Sequence, residues 1–479
     1  MKVVLFAING SWVHTNLAIR CLRRVLERDG HEVVLVEHSL RDRSAHVLER
    51  LWREQGDVYG FSCYIWNLLE MLTLAESLHS ILPQAKIILG GPEVSFDTER
   101  FCGMDFIDSI VCGEGEEALP MLCRAIQNGE SIPRVVNGGR PDAMGSEGIL
   151  YREGEGAGGI LYYESSRGCP YCCAYCLSSA TEGVRFKSVE QTLADLSDFE
   201  RLHTDCRVIK FVDRTFNASP ARANAIWRAL LDESFTKSYH FEVCASLLNE
   251  ESFELLSRFP KGKIRLEIGL QSTNPETLAA VSRHIKPQAV IDAVRRVHEM
   301  GNIHVHLDLI AGLPFESYAR FAQSFDDAYG SCDLLQLGFL KLLHGTELRR
   351  RAEEYGYRCL PCPPYTVLES RWISYPEMQR LMHIAETLER FLESGRFAHT
   401  LEHLMPRIES PFAFWEGLTD HIAATDPRPL QKLSQPDAYR LLLSYAERLD
   451  GVDGATLRYL LGVDFSTHEH KIPPYFLKS

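Results

Sequence analysis

No apolar run in the 479-residue sequence approaches the length of a membrane span. The only apolar run near the start, Val3–Ile8, is too short for a secretion signal, and no small-residue cleavage site follows it. Fourteen cysteines are far below the density of a disulfide scaffold. Cys21, Cys63, Cys123 and Cys244 stand singly in apolar stretches, where a buried small hydrophobe is the plain reading. A reducing cytoplasm is the expected compartment. Positive charge is in deficit, with 51 Lys and Arg against 65 Asp and Glu and a net charge of −14. That argues against a broad phosphate-binding surface, so neither nucleic acid nor a membrane is an expected partner. The rest is ordinary for a soluble protein, 45% hydrophobic and 24% charged, and long enough for two or three domains.

Against this background one stretch stands out. Arg167-Gly-Cys169-Pro-Tyr-Cys172-Cys173-Ala-Tyr175-Cys176 holds four cysteines in eight residues. Cys169, Cys173 and Cys176 form Cys-x3-Cys-x2-Cys, and three thiolates on one tight loop can hold three irons of a [4Fe–4S] cluster, leaving the fourth open to a ligand. Structural zinc is the rival and wants four closed ligands. Cys172 and Cys173 are adjacent, so turning both onto one ion would strain the loop. Unliganded core cysteines are the third reading.

Ahead of this loop, β-type runs at 3–8, 32–38, 58–65, 86–91 and 109–113 alternate with helical patterns at about 16–29, 43–55, 67–81 and 116–127. Such alternation predicts a doubly wound, Rossmann-like parallel sheet over 1–140, with ligands beyond the carboxyl ends of its strands. The loops there read Asn9-Gly-Ser-Trp, Cys63-Tyr64-Ile65-Trp66, Gly90-Gly91-Pro-Glu93 and Gly113-Glu114-Gly115-Glu116. Their glycines allow close approach of a ligand, and their acidic residues would repel a bare pyrophosphate. A flat, largely neutral ligand with a long tail suits them better; a scaffold-only sheet is the alternative. The glycine-rich stretch 141–157 reads as a linker.

Six further β-type runs, 160–164, 207–212, 239–244, 264–270, 303–310 and 334–340, each precede a helical pattern. They predict a partial (β/α)6 TIM-like barrel over 158–358. Alternation puts Lys210, His240, Glu242, Arg265, Glu267, Gln271, His304, His306, Asp308 and Gln336 on one face and mainly apolar residues on the other. A polar lumen indicates a binding cavity. His304-x-His306 reads as lumen hydrogen bonding rather than a metal pair, since no supporting ligand set accompanies it. The stretch 359–479 is predicted to be an α-helical domain, with amphipathic patterns at 375–394, 410–424, 435–449 and 454–462. Cys359-x2-Cys362 at its start reads either as a metal pair or as two ordinary thiols in a proline-stiffened linker.

The cysteine spacing, with an aromatic residue before the last cysteine, resembles the signature of radical S-adenosylmethionine (SAM) enzymes. The order of the loops before it resembles the branch that carries an N-terminal cobalamin-binding domain, and the helical tail resembles a C-terminal domain of unknown function found in some of these proteins. The resemblance covers about residues 1–350. It implies a [4Fe–4S] cluster on Cys169, Cys173 and Cys176, with Cys172 left out. It implies SAM near Tyr175, Asp213, Glu267, Gln271 and Ser272, with the carboxylate of Asp213 on the SAM amino group. It implies cobalamin held by Asn9, Gly90, Gly91, Glu93, Gly113, Glu114 and Gly115. The Asp-x-His-x-x-Gly motif of histidine-ligated cobalamin domains is absent from the sequence, so the residue beneath the cobalt is expected from loop 64–67, as Ile65 or Trp66. The implied chemistry is reductive cleavage of SAM to a 5′-deoxyadenosyl radical, hydrogen abstraction and, commonly, methylation of an unactivated carbon. The implied partners are a small-molecule or peptide substrate and an electron donor such as flavodoxin or ferredoxin. Rearrangement or oxidation with non-methylating cobalamin, methylthiolation, and a non-catalytic cobalamin or redox sensor are the alternatives.

Overall fold

The computed structural model describes residues 1–140, 144, 148–180, 183–469 and 474–477. Strands β1 (Lys2–Asn9), β2 (Glu32–Ser39), β3 (Val58–Ser62), β4 (Lys86–Gly90), β5 (Ser109–Cys112) and β6 (Val135–Asn137) form one parallel sheet, in the order β2-β1-β3-β4-β5-β6. The apolar run of β1 explains its central place. Val4, Phe6 and Ile8 enter the core on one face, and Val3, Leu5 and Ala7 enter the core on the other. The strand order reverses between β1 and β3, which opens a crevice at their carboxyl ends. The first crossover helix, Leu17–Arg28, starts beside that crevice. The Asn16 side chain caps it by accepting the Ile19 N–H at 3.1 Å. Strand β6 falls beyond the five expected strands; its three residues are too few to show a period.

A second parallel sheet follows. Its strands are β7 (Ile160–Tyr163), then, after the short antiparallel pair β8 (Ser166–Gly168) and β9 (Val184–Phe186), β10 (Val208–Phe211), β11 (Ser238–Val243), β12 (Ile264–Gln271), β13 (His304–Ala311) and β14 (Leu334–Phe339). They lie in sequence order from β7 to β14, the arrangement of an open six-stranded barrel. Ile209, Phe211, Phe241, Leu266, Ile268, Val305, Leu307 and Leu309 are buried in the core under the helices. Their polar alternates face inward, half-buried or exposed.

The chain then makes a hairpin, β15 (Arg358–Cys359) and β16 (Val367–Glu369), and ends in helices Tyr375–Leu388, Ala398–Leu404, Pro411–Thr425, Gln435–Ala446 and Gly454–Glu469. The first continues into a π turn at Glu389–Glu393. Helix Ala398–Leu404 was not expected. Its free N-terminal donors are met by buried Asp464, which accepts the His399 N–H at 3.1 Å and the Thr400 N–H at 3.0 Å. One hydrophobic core runs without interruption from the barrel into these helices. Of the stretch expected as a linker, 141–143 and 145–147 lie outside the described residues. The rest is docked rather than loose: Tyr151 is buried, Arg23 donates to the Leu150 carbonyl at 2.7 Å, and Glu155 pairs with Arg20 at 3.2 Å and with Arg23. Among the described residues no helix is long and apolar enough to cross a membrane.

Candidate active site

The cysteine loop leaves β8 and is fastened from both sides. The Ala174 N–H donates to the Val281 carbonyl at 3.0 Å, and the Leu348 N–H donates to the Ala174 carbonyl at 2.9 Å. Within it the Cys176 N–H closes on the Cys173 carbonyl at 3.0 Å. Cys173 is buried and Cys169 and Cys176 half-buried, whereas Cys172 is exposed. Burial pushes the Cys169 thiol up; the nearby Cys176 and Cys173 add to this, against hydrogen bonds from Tyr171 and Thr215. Three sulfurs close enough to affect one another, with the fourth turned to solvent, fit a cluster on Cys169, Cys173 and Cys176. Among the described residues no three His, Cys, Asp or Glu side chains converge to hold one ion. A cluster does not need that convergence, because each thiolate takes its own iron.

Arg283 adds a side-chain tie between this loop and the barrel. Its guanidinium lies 3.6 Å from Cys173 Sγ and 3.4 Å from the Tyr175 hydroxyl, and it donates to the Gly269 carbonyl. Tyr175 is half-buried against the core. Beside them Gln271 has φ +74°, a left-handed conformation that costs a non-glycine residue energy. Its Oε1 is buried and finds no hydrogen-bond partner among the described residues. An orphaned acceptor next to the cysteine loop fits a ligand there.

Inside the barrel, Glu242 of β11, Glu267 of β12 and His306 of β13 lie in register. Glu267 is 3.1 Å from both Lys210 Nζ and His240 Nε2, and the close His240 contact leads the effects that hold its carboxyl down at about 2. Glu242 behaves oppositely. Burial, with Glu267 and Asp308 nearby, pushes it up to about 7 against the attraction of Arg214 and Lys210. His306 Nε2 lies 3.1 Å from Asp308 as an ion-pair contact and makes no hydrogen bond among the described residues, so the expected lumen hydrogen bonding of this histidine is not formed.

Two residues expected beside SAM have protein partners instead. Asp213 is fully buried and is not among the residues that line the large cavity described below. Its carboxylate accepts the Ser165 N–H at 2.8 Å, the Ser165 hydroxyl at 2.6 Å and the Ser166 hydroxyl at 2.7 Å, fastening the turn into β8. Ser272 is also fully buried, and its hydroxyl donates to Glu316 at 2.5 Å. Both continue the apolar parity of their strands, so they point away from the lumen.

The carboxyl ends of β1, β3, β4 and β5 face the cysteine loop across a cavity of about 790 Å³. Asn9, Trp66, Gly90, Gly91, Gly113, Glu114 and Gly115 line it from the first sheet, and Ser166, Arg167, Gly168, Val212 and Arg214 line it from the barrel. A deep arm reaches between sheet and helices, past Leu5, Leu22, Ile88, Val111 and Leu119. This shape fits the flat ligand with a long tail. At its rim Tyr64 and Trp66 stack at 4.4 Å and 8°, with the indole N–H held by the Ile8 carbonyl at 3.0 Å. Gly91 has φ +109°, and a Cβ there would lie 2.5 Å from the Cys63 carbonyl oxygen.

Two residues expected at the cofactor in this domain lie outside the cavity lining. Ile65 does not line the cavity, leaving Tyr64 and Trp66 from that loop. Glu93 does not line it either; it is buried and accepts a hydrogen bond from Tyr365. Glu114 lines it, but its carboxylate is taken by Arg167 at 2.7 Å and by Arg185. Burial pushes Glu114 up, and the two guanidiniums more than offset this, holding it below the usual carboxylate range. Glu114 is thus an interdomain clamp at the cavity wall. His14, also at the wall, meets the Tyr162 hydroxyl through Nδ1 at 2.6 Å. Arg283 and Arg214 were missed in the sequence, where nothing distinguishes either from a surface arginine.

Comparison with known proteins agrees with this geometry. Residues 3–122 match the B12 binding domain, residues 163–328 the radical SAM superfamily, and residues 353–479 a protein family of unknown function, DUF4080. The uncharacterized methyltransferase PH0819 of Pyrococcus horikoshii is 26% identical over 337 residues, covering 63% of this chain and 72% of that protein. The cobalamin-dependent radical SAM methyltransferase TokK of Streptomyces tokunonensis is 26% identical over 357 residues, covering 64% of this chain but only 50% of that one. Among solved structures, the cobalamin-dependent S-adenosylmethionine radical enzyme OxsB with aqua-cobalamin and S-adenosylmethionine bound superposes with a TM-score of 0.66 at 16% identity, covering 98% of this chain and 79% of that one. That likeness shows a shared fold across all three parts of the chain. The chain thus carries, in order, a B12 binding domain, a radical SAM domain and a DUF4080 domain.

Proposed function

We propose that this protein is a cobalamin-dependent radical SAM methyltransferase that methylates an unactivated carbon. The observation that carries this reading is the shared cavity, walled on one side by the strand ends of the B12 binding domain and on the other by the start of the cysteine loop. When bound, the cluster with SAM supplies hydrogen abstraction and the cobalamin supplies the methyl group. Cys169, Cys173 and Cys176 hold the cluster, and Arg283 fixes their loop against β12. The orphaned Gln271 amide and the Tyr175 ring meet SAM from the barrel side. Glu242 and Glu267 are the lumen carboxylates available to a cationic amino group. The Tyr64–Trp66 stack and the apolar arm of the cavity seat the corrin and its tail and exclude water. The substrate is a small molecule or peptide reaching the polar lumen, and a flavodoxin- or ferredoxin-like protein in a reducing cytoplasm supplies electrons.

Anaerobic reconstitution with iron, sulfide, cobalamin, SAM, a reductant and a cell extract tests this, read by mass spectrometry. The expected result is reductant-dependent SAM cleavage together with a product that gains a methyl group. SAM cleavage with altered but unmethylated product would transfer the protein to the rearranging or oxidising class. Cobalamin binding with no SAM cleavage would make it a sensor.

A further inference from the structure

The hairpin that opens the DUF4080 segment reaches back across the molecule. The Val367 N–H donates to the Leu340 carbonyl at 2.9 Å, and the Leu342 N–H to the Tyr365 carbonyl at 3.1 Å, so the hairpin extends the exit of β14. At its tip sits Tyr365, fully buried and at φ +56°. A bulky residue held in the left-handed region marks a place where the surroundings override local preference. The Tyr365 hydroxyl donates to Glu93 at 2.9 Å and accepts from Arg100 at 3.0 Å. Both partners belong to the B12 binding domain, 272 and 265 residues away in sequence.

Glu93 stands in the short helix Pro92–Ser95, whose Pro92 and Ser95 line the cofactor cavity. Two residues before it is Gly91, whose carbonyl accepts the Ser95 hydroxyl at 2.8 Å, and that same hydroxyl oxygen accepts the Gly113 N–H at 3.1 Å. Holding Glu93 therefore holds two of the glycine loops that face the cavity. The same seam has a second contact. His344, after β14, lies 3.3 Å from Asp97, and the Phe96 ring, part of the cavity wall, covers Gly345 so closely that no Cβ fits there.

We propose that Tyr365 is a positioning residue for the corrinoid seat. Through it, the DUF4080 hairpin sets how segment 90–96, with its short helix Pro92–Ser95, stands over the barrel. This rests on the reading of the cavity as a cobalamin site and assigns a role to a segment whose family has none. The hydroxyl bridges two domains rather than filling a core, so its removal acts on the seat and not on the cysteine loop.

The test uses the full chain with its cluster reconstituted, titrated with hydroxocobalamin. Tyr365→Phe removes one hydroxyl and keeps the ring. Losing one hydrogen bond to a charged group predicts about a tenfold weaker cobalamin affinity, with iron per chain unchanged. The visible circular dichroism of the bound corrinoid should also change, since its surroundings are repositioned. Glu93→Gln keeps an acceptor but removes its charge, weakening the same bond from the other domain, and serves if Tyr365→Phe does not fold. In the double variant the two losses should overlap rather than add. Wild-type affinity and dichroism in both single variants would overturn the inference. So would a parallel loss of iron, which would make Tyr365 a general fold residue. Failure of the wild-type chain to bind cobalamin at all would instead defeat the reading of the cavity.

Discussion

Asp213 separates a ligand-binding carboxylate from a structural one. Its three hydrogen bonds all go to Ser165 and Ser166, at 2.6–2.8 Å, in a site closed to solvent. Burial pushes its carboxyl up, opposed by these same donors. In Asp213→Ala the serine hydroxyls can turn to other acceptors, but the Ser165 N–H cannot. A stranded buried donor costs about 1–3 kcal/mol, and each hydrogen bond to a charged acceptor contributes about 1.5–3 kcal/mol, so the alanine variant should lose about 4 kcal/mol. Asp213→Asn keeps an oxygen for the Ser165 N–H and offers its amide to the two hydroxyls, so it should lose about 2 kcal/mol. Since Ser166 begins β8, three residues before Cys169, the damage should appear as a loosened cysteine loop. The assay is threefold: thermal unfolding, iron per chain after anaerobic reconstitution, and SAM affinity per cluster. Wild type, asparagine and alanine should rank in that order in stability and iron, with SAM affinity per cluster unchanged. An asparagine variant with native stability and iron but weakened SAM binding would refute the structural reading.

Single alanine changes at Cys169, Cys173 and Cys176 should each abolish the absorbance of the reconstituted cluster, whereas Cys172→Ala should keep it; the reverse result at 172 and 173 would shift the ligand frame. Glu242 is pushed up to about 7, so it loses its proton as pH rises through that value, and an adjacent cationic amino group should bind more tightly at pH 8 than at pH 6. Glu242→Gln should flatten that rise in SAM titrations; an unchanged slope would remove Glu242 from the site. Electron paramagnetic resonance of the Co(II) form should show no coordinated imidazole, because Tyr64 and Trp66, the residues of loop 64–67 that line the cavity, present no ligating nitrogen. Nitrogen splitting that disappears in His14→Gln would overturn this.

Much of the architecture was legible because the chain repeats two periods cleanly. The strands of both sheets are largely apolar or alternating, and most are followed by a helix. What escaped was short or long-range. Strand β6 has three residues between Pro133 and Gly138. Helix Ala398–Leu404 depends on Asp464, which is supplied from more than 60 residues away. The docking of the linker depends on Glu155 meeting Arg20 and Arg23 of the first helix. No local pattern announces such pairs, and Arg283, joined to Cys173 across 110 residues, is the same case at the site.

The misplaced site residues have a different cause, and the sequence already contained the warning. Side chains two apart share a face of a strand. Ile209 and Phe211 face the helices, and Asp213 continues their parity; Leu266, Ile268 and Leu270 face the helices, and Ser272 continues theirs. Motif position put both residues near SAM, while parity put both in the outer layer, and the structure follows parity. The inward parity runs Lys210, Val212, Arg214 on β10 and beyond, and His240, Glu242 on β11. Val212 and Arg214 reach the cavity wall, and Glu242 reaches the lumen. A motif identifies a strand end, but only the count from the core residues tells which of its side chains a ligand can touch. Applied to the whole barrel, that count points to Arg214 and Glu242 as the polar groups to test beside the cysteines.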